Sequence, residues 1–181
     1  SYEDYLGVYV FMEKIKRDPY RVDIAKLEPA ENTEPEISGG YMYKIDRPGP
    51  GETGFTTAYD GVLLVHAEPK ESEITSAQKT WLKNYMDNFE AALYGSNFTD
   101  PVNGYAKYVD VDSFIDFYIM VELAKNVDGF IYSTYMYKDR GGKLTMGPVW
   151  DYNLSLGNAN YRGGWDPQGW FHDYLPSDHS W

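Results

Sequence analysis

The sequence has no cysteine, little basic charge and no long apolar run. Without cysteine the chain cannot form a disulfide framework, a thiolate metal site or a cysteine nucleophile. With 16 basic and 28 acidic side chains the net charge is −12, which argues against binding to nucleic acid or to an anionic membrane surface. No apolar run has the length of a membrane span, and no signal peptide is visible. The excess of acid is compatible with cation binding.

Motifs of several enzyme classes are also missing. The sequence contains no GxxxxGK[ST], HExxH or GxSxG motif, and its three histidines show no metal-ligand spacing. There is no initiator methionine, and the segment from Tyr5 to Ile15 has the composition of a strand already in progress. We therefore expect residues 1–181 to form a single domain that is truncated at both ends.

Aromatic side chains are abundant, with 18 Tyr, 8 Phe and 5 Trp. Two interpretations of this composition stay open. The rings either fill a tyrosine-rich core and surface, or some of them form a surface on which sugar rings stack.

The apolar patterns predict an α+β domain in which mostly antiparallel strands pack on two long helices. Predicted strands are Tyr5–Ile15, Gly40–Arg47, Val62–Ala67, Ile131–Lys138 and Leu144–Trp150, the last two forming a hairpin. The first helix is predicted over Ser72–Tyr94, with a capping box formed by Thr75 and Gln78 and a stop at Gly95. The second is predicted from Ser113 to about Lys125, capped by Asp110 or Asp112. Because this helix is apolar nearly all round, we expect it to be buried in the centre of the domain.

A polar loop with Lys125, Asn126 and Asp128 follows the second helix, and Asp151 follows the hairpin. Since a hairpin returns the chain to its starting point, Asp128 and Asp151 are expected to lie near each other at its open end. If the strand continues, Asp151, Asn153 and Ser155 share one face. Carboxylate and amide oxygens that converge in this way suit a hard cation such as Mg²⁺. The alternatives are a plain Asp-Gly turn at Asp128 and a strand that ends in solvent at Asp151.

Several segments together resemble the spore-coat protein H (CotH) kinase family. They occur in the family's order and are YLGVYVFMEKIKRDPYRVDIAKL, GGYMYKIDR, ELAKNVDG, STYMYKDRGGKLTMGPVWDYNLSLGN and NYRGGW. The resemblance implies an atypical protein-kinase-like fold that uses ATP and Mg²⁺ or Mn²⁺ to phosphorylate serine residues of proteins. It also implies a secreted, cell-surface or spore-coat location, and that the family's usual N-terminal portion, which would hold the nucleotide phosphates, is missing from this sequence.

The resemblance further implies roles for individual residues. Asp128 takes the position of the catalytic-loop aspartate, and Asp151 takes the metal-binding position. Asn126 is expected to support the loop or to contact the metal. Asn153 stands where many members carry an acid, and it is expected to contribute to the metal site with altered charge. Glu13 and Lys125 are expected to lie at the nucleotide.

Two other functions stay open. One is a non-catalytic binding or scaffolding module, and the aromatic content suggests polysaccharide as its partner. The other is a glycoside hydrolase that uses two carboxylates. Other modules of the same protein are further expected partners.

Overall fold

The computed structural model describes residues 6, 7, 9 and 11–175. Within them the chain forms a five-stranded sheet and two α-helices, in agreement with the predicted α+β class. The strands are β1 (Tyr41–Ile45), β2 (Gly54–Thr56), β3 (Leu63–Glu68), β4 (Thr134–Lys138) and β5 (Leu144–Met146), and the helices are α1 (Ser76–Leu93) and α2 (Val111–Ala124).

The sheet has the order β2-β3-β1-β4-β5, and all neighbouring strands are antiparallel. β1 is central in the sheet, and both of its faces are covered at its start by packing elements. Tyr41 and Tyr43 point into the core shared with α1, whereas Met42 packs on the opposite side with Val22 and Ile24. The half-buried strand predicted here is therefore more deeply buried than its alternating pattern indicates.

Helix α1 begins at Ser76, four residues after the predicted start at Ser72, because the predicted capping box sets its first turn. Thr75 is its N-cap, and the predicted capping box with Gln78 is present. The Gln78 side chain, which is fully buried, also donates to the carbonyl oxygens of Glu28 and Glu31 at 2.8 and 3.0 Å. Gln78 thereby connects the preceding loop to the first turn of the helix.

Helix α2 is capped by Asp110, one of the two predicted residues. The prediction that the helix is buried all round is wrong. It buries Phe117, Val121 and Ala124 but leaves Ile119 51% and Leu123 77% exposed. It lies beside the sheet rather than between two layers, and one side therefore has no covering element among the described residues.

Two predicted strands are also corrected. The described residues between Leu6 and Ile15 belong to no strand and include the fully exposed Phe11, while Tyr5, Val8 and Val10 lie outside the described residues. An extended segment becomes a strand only where a neighbour pairs with it, and these residues show no such neighbour. β5 ends at Met146 instead of Trp150, because Gly147, at φ +116°, turns the chain out of the ladder.

The core has two main parts. One lies between the sheet and α1, and the other joins α2 to the loop that follows it and to the C-terminal segment around Phe171. No helix in the described part of the chain combines the length and hydrophobicity needed to cross a membrane.

Candidate active site

The loop that carries Asp128 is held at the C-terminal end of α2. Helix α2 ends at Lys125, which adopts the left-handed conformation, φ 47°. The buried Asn126 side chain accepts a hydrogen bond from the Asp128 backbone N–H at 3.3 Å. The Asp128 carbonyl in turn accepts from the backbone N–H of Tyr132 at 2.8 Å. Asn126 therefore positions the loop from inside the protein.

The hairpin formed by β4 and β5 brings Asp151 back to this loop. The Ser133 hydroxyl, just before β4, donates to the Asp151 carboxylate at 3.3 Å. Ile45 of β1 pairs with Thr134 of β4, so Asp46 follows β1 beside Ser133. Three acidic residues from distant parts of the sequence thus converge at one end of the sheet.

The charges at this end of the sheet act on Asp128. Burial raises the pKa of the Asp128 carboxyl above its ordinary value, and the negative charge of Asp151 raises it further. The positive charge of Arg162 opposes this rise; Asp46 adds to it and Arg47 reduces it by smaller amounts. Asp128 and Asp151 therefore lie within electrostatic range of each other, in a partly buried site.

Arg47, Tyr161 and Arg162 also belong to this site. Sequence reasoning did not single out Arg47 or Tyr161, whereas it left a substrate-facing role open for the loop that begins at Arg162. The Arg162 guanidinium donates to the carbonyl oxygen of Val127 at 3.2 Å. The pKa of the Tyr161 hydroxyl is raised by burial and by Asp128. The signal available for Arg47 was the charged pair Asp46-Arg47, which ends a predicted strand directly before Pro48. The segment NYRGGW was the available signal for Arg162.

Backbone strain is concentrated around the site. In the described part of the chain, the non-glycine residues with positive φ all fall between positions 125 and 162. They are Lys125, Phe130, Ser133, Asp151, Leu156 and Arg162. Such conformations are costly for residues with a side chain and cluster where function requires a particular geometry.

An apolar cavity of about 790 Å³ adjoins the loop. Asp46 and Arg47 line it at the end of β1, Phe130 and Tyr132 line it after Asp128, and residues of α1 and α2 complete it. The volume is within the range of sites that hold small organic ligands.

The remaining predicted site residues are placed as follows. Lys125 is buried, and its ammonium donates to the carbonyl oxygens of Asp166 and Gln168 at 2.7 and 2.5 Å. Glu13 is exposed and forms an ion pair with Arg21 at 2.5 Å. Asn153 is exposed in a 3-10 turn.

The turn that contains Asn153 corrects the predicted common strand face. It spans Tyr152–Leu154 and begins at Asp151, which has φ 61°. Asp151, Asn153 and Ser155 therefore do not alternate along a continuing strand.

The donors at the site suit a divalent cation that is bound together with a phosphate ligand. Mg²⁺ usually binds through one or two carboxylates plus substrate phosphates and water. Asp128 and Asp151 offer two carboxylates. Across residues 11–175 no group of three or more His, Cys, Asp or Glu side chains could hold an ion alone. These two carboxylates could hold a cation only together with ligands from outside the protein, such as phosphate oxygens and water.

The glycines at 49, 51 and 54 have the GxGxxG spacing that is typical of dinucleotide-binding loops. In this structure they do not form such a loop. The segment links β1 to β2 instead of opening a helix after a strand. A Cβ atom on Gly54 would lie 2.1 Å from the Leu64 carbonyl oxygen. Close packing of β2 on β3 accounts for this glycine.

No curated protein and no solved structure matches the chain. One family model, described as CotH kinase protein, matches residues 2–178 and therefore nearly the whole sequence. The chain belongs to the CotH kinase protein family.

Proposed function

We propose that this protein transfers a phosphoryl group from ATP, bound with Mg²⁺ or Mn²⁺, to a serine hydroxyl of a protein. The observation that supports this proposal best is the convergence of Asp128 and Asp151 at one end of the hairpin, within electrostatic range of each other. Family membership supports an atypical kinase-like fold and an extracellular, cell-surface or spore-coat location as further parts of the proposal.

Asp128 is the proposed catalytic residue. Its pKa is raised by burial and by Asp151, so its carboxylate accepts a proton more readily than an exposed aspartate does. It orients the acceptor hydroxyl and takes its proton late in the transfer. Asn126 acts as a positioning residue, since its side chain holds the Asp128 backbone.

Asp151 is the proposed metal-binding residue. Its carboxylate is exposed and is oriented by the Ser133 hydroxyl, so an oxygen atom remains accessible for a cation. When bound, the metal ion stabilises negative charge on the transferring phosphoryl group. The adjoining apolar cavity has the size and lining to hold the nucleoside.

Two measurements test the proposal. In thermal melting, ATP with Mg²⁺ is expected to stabilise the wild type, as mass action requires of a native-state ligand. Asp128→Asn is expected to retain this shift and to lose phosphoryl transfer to protein serine, whereas Asp151→Asn is expected to lose both. Asp116→Asn, which removes an exposed charge on α2, is the matched control and is expected to behave as wild type. Equal transfer by wild type and both site variants would exclude the mechanism.

A binding or scaffolding module is the second candidate. It is favoured by exposed rings in the segment that follows the site, namely those of Tyr161, Trp165, Trp170 and Tyr174. Stacking on polysaccharide needs such accessible faces. Retention on insoluble polysaccharide that is lost in Trp165→Ala and Trp170→Ala, without any nucleotide-dependent melting shift, would support this function instead of the kinase.

A further inference from the structure

Two arginines are fixed against the loop that carries Asp128. Arg162 is held by its hydrogen bond to the carbonyl of Val127, the residue directly before Asp128. The Arg47 guanidinium lies over the ring of Tyr132, 5.1 Å from its centroid. The two guanidinium groups come from distant parts of the sequence and contact the same short loop.

Among the described residues, neither guanidinium is paired with a carboxylate. In the described residues no ion pair within 4.0 Å joins Arg47 or Arg162 to an acid. By contrast, Arg21 and Arg140 each pair with a glutamate. Unpaired cations beside carboxylates retain hydrogen-bond donors for an anionic ligand.

The site needs this positive charge if a polyphosphate is to bind. A triphosphate has to approach Asp46, Asp128 and Asp151 on a protein of net charge −12, and each carboxylate repels it. Lys125, predicted to serve the nucleotide, has its buried ammonium bound to two carbonyl oxygens.

We propose that Arg47 and Arg162 form a phosphate clamp that binds the terminal phosphates of a nucleoside triphosphate beside Asp128 and Asp151. The planar guanidinium group can donate two parallel hydrogen bonds to a phosphate, which an ammonium group cannot. This clamp rests on the proposed kinase function, and it identifies the residues of the chain that recognise the polyphosphate.

Calorimetric binding of Mg²⁺–tripolyphosphate to the whole chain tests the clamp without any need for catalysis. Arg47→Ala and Arg162→Ala are each expected to weaken binding by about 10- to 100-fold, the effect of losing hydrogen bonds to a charged group. Arg162→Lys is expected to bind more weakly than wild type and more tightly than Arg162→Ala. Lys83→Ala, which removes an equal charge from an ion pair on α1, is expected to change the affinity by no more than about twofold.

The outcomes separate the clamp from the kinase. If the wild type transfers phosphate while both arginine variants bind tripolyphosphate as tightly as Lys83→Ala does, the clamp is wrong and the kinase stands. If the wild type binds tripolyphosphate but phosphorylates no serine, and both arginine variants lose this binding, the clamp stands and the kinase is wrong. Absence of tripolyphosphate binding by the wild type overturns the clamp. Should Arg162→Ala fail to fold, Arg47→Ala at an exposed position and Arg162→Lys still decide the question.

Discussion

Lys138 is expected to make the stability of this protein depend on alkaline pH. It lies in β4 and is only 2% exposed. Its ammonium donates to the Ser38 carbonyl at 2.5 Å and lies over the rings of Trp81 and Tyr85, 5.1 and 4.7 Å from their centroids. Burial lowers the pKa of Lys138 from 10.5 to about 8, against the opposing effect of nearby Glu34.

The direction of the effect follows from proton binding. Above the folded-state pKa of about 8 the native protein releases the proton, while the unfolded chain keeps it until about pH 10.5. The unfolded chain then binds more protons, so the free energy of unfolding rises with pH. Between about pH 7.5 and about pH 9.5 this gain is about 2 kcal/mol. That is the upper end, because the two rings favour the charged form.

Urea denaturation at the two pH values measures the gain. Lys138→Met keeps a side chain of similar length without a charge and is expected to lack the gain that wild type shows. Lys143→Met, at an exposed lysine next to β5, is the control and should keep it. If wild type and Lys138→Met show the same change in free energy of unfolding, burial does not control the protonation of Lys138 and the reasoning is wrong.

Three further predictions concern the fold around the site. Gln78→Ala removes the helix-capping and loop contacts of a buried side chain and is expected to cost about 2–4 kcal/mol in urea unfolding, whereas Gln168→Ala at an exposed position should cost little. Gly129→Ala places a Cβ atom 2.5 Å from Val121. It is expected to displace the loop that carries Asp128 and to weaken the ATP-dependent melting shift more than Gly141→Ala does. Burial lowers the pKa of His66, so the unfolded chain binds the proton first as the pH falls. The urea concentration at the midpoint of unfolding is therefore expected to decrease once the pH drops below about 6.5. His66→Phe should remove this contribution to the acid dependence.

Each of these predictions has an outcome that contradicts it. An unchanged free energy of unfolding in Gln78→Ala would show that its contacts contribute nothing net. A normal melting shift in Gly129→Ala would mean that Val121 moves aside at no cost to the loop. Equal loss of stability at acid pH in wild type and His66→Phe would assign that loss to other groups.

Local patterns determined the elements whose signals are short in range. The capping box at Thr75 and Gln78 fixed where α1 begins, because both partners lie within four residues. The alternation that predicted a strand at β1 was readable for the same reason. The order of two acids around a hairpin was enough to predict that Asp128 and Asp151 meet.

Long-range contacts decided what the sequence left open or indicated wrongly. Composition predicted that α2 is buried on all sides, yet exposure depends on which elements pack against it, and Ile119 and Leu123 have no covering element among the described residues. Likewise, residues near Phe11 have strand-like composition but no pairing neighbour in the described structure.

Residue order alone determined the family, the α+β class and the two aspartates of the candidate site. The tertiary structure alone placed Asp46, Arg47 and Arg162 beside them, since these residues reach the site through the pairing of β1 with β4 and the return of the C-terminal segment to α2. The left-handed backbone at Phe130 and Ser133 was likewise unpredictable. Those conformations are unfavourable for the residues themselves, and only contacts from distant parts of the chain stabilise them.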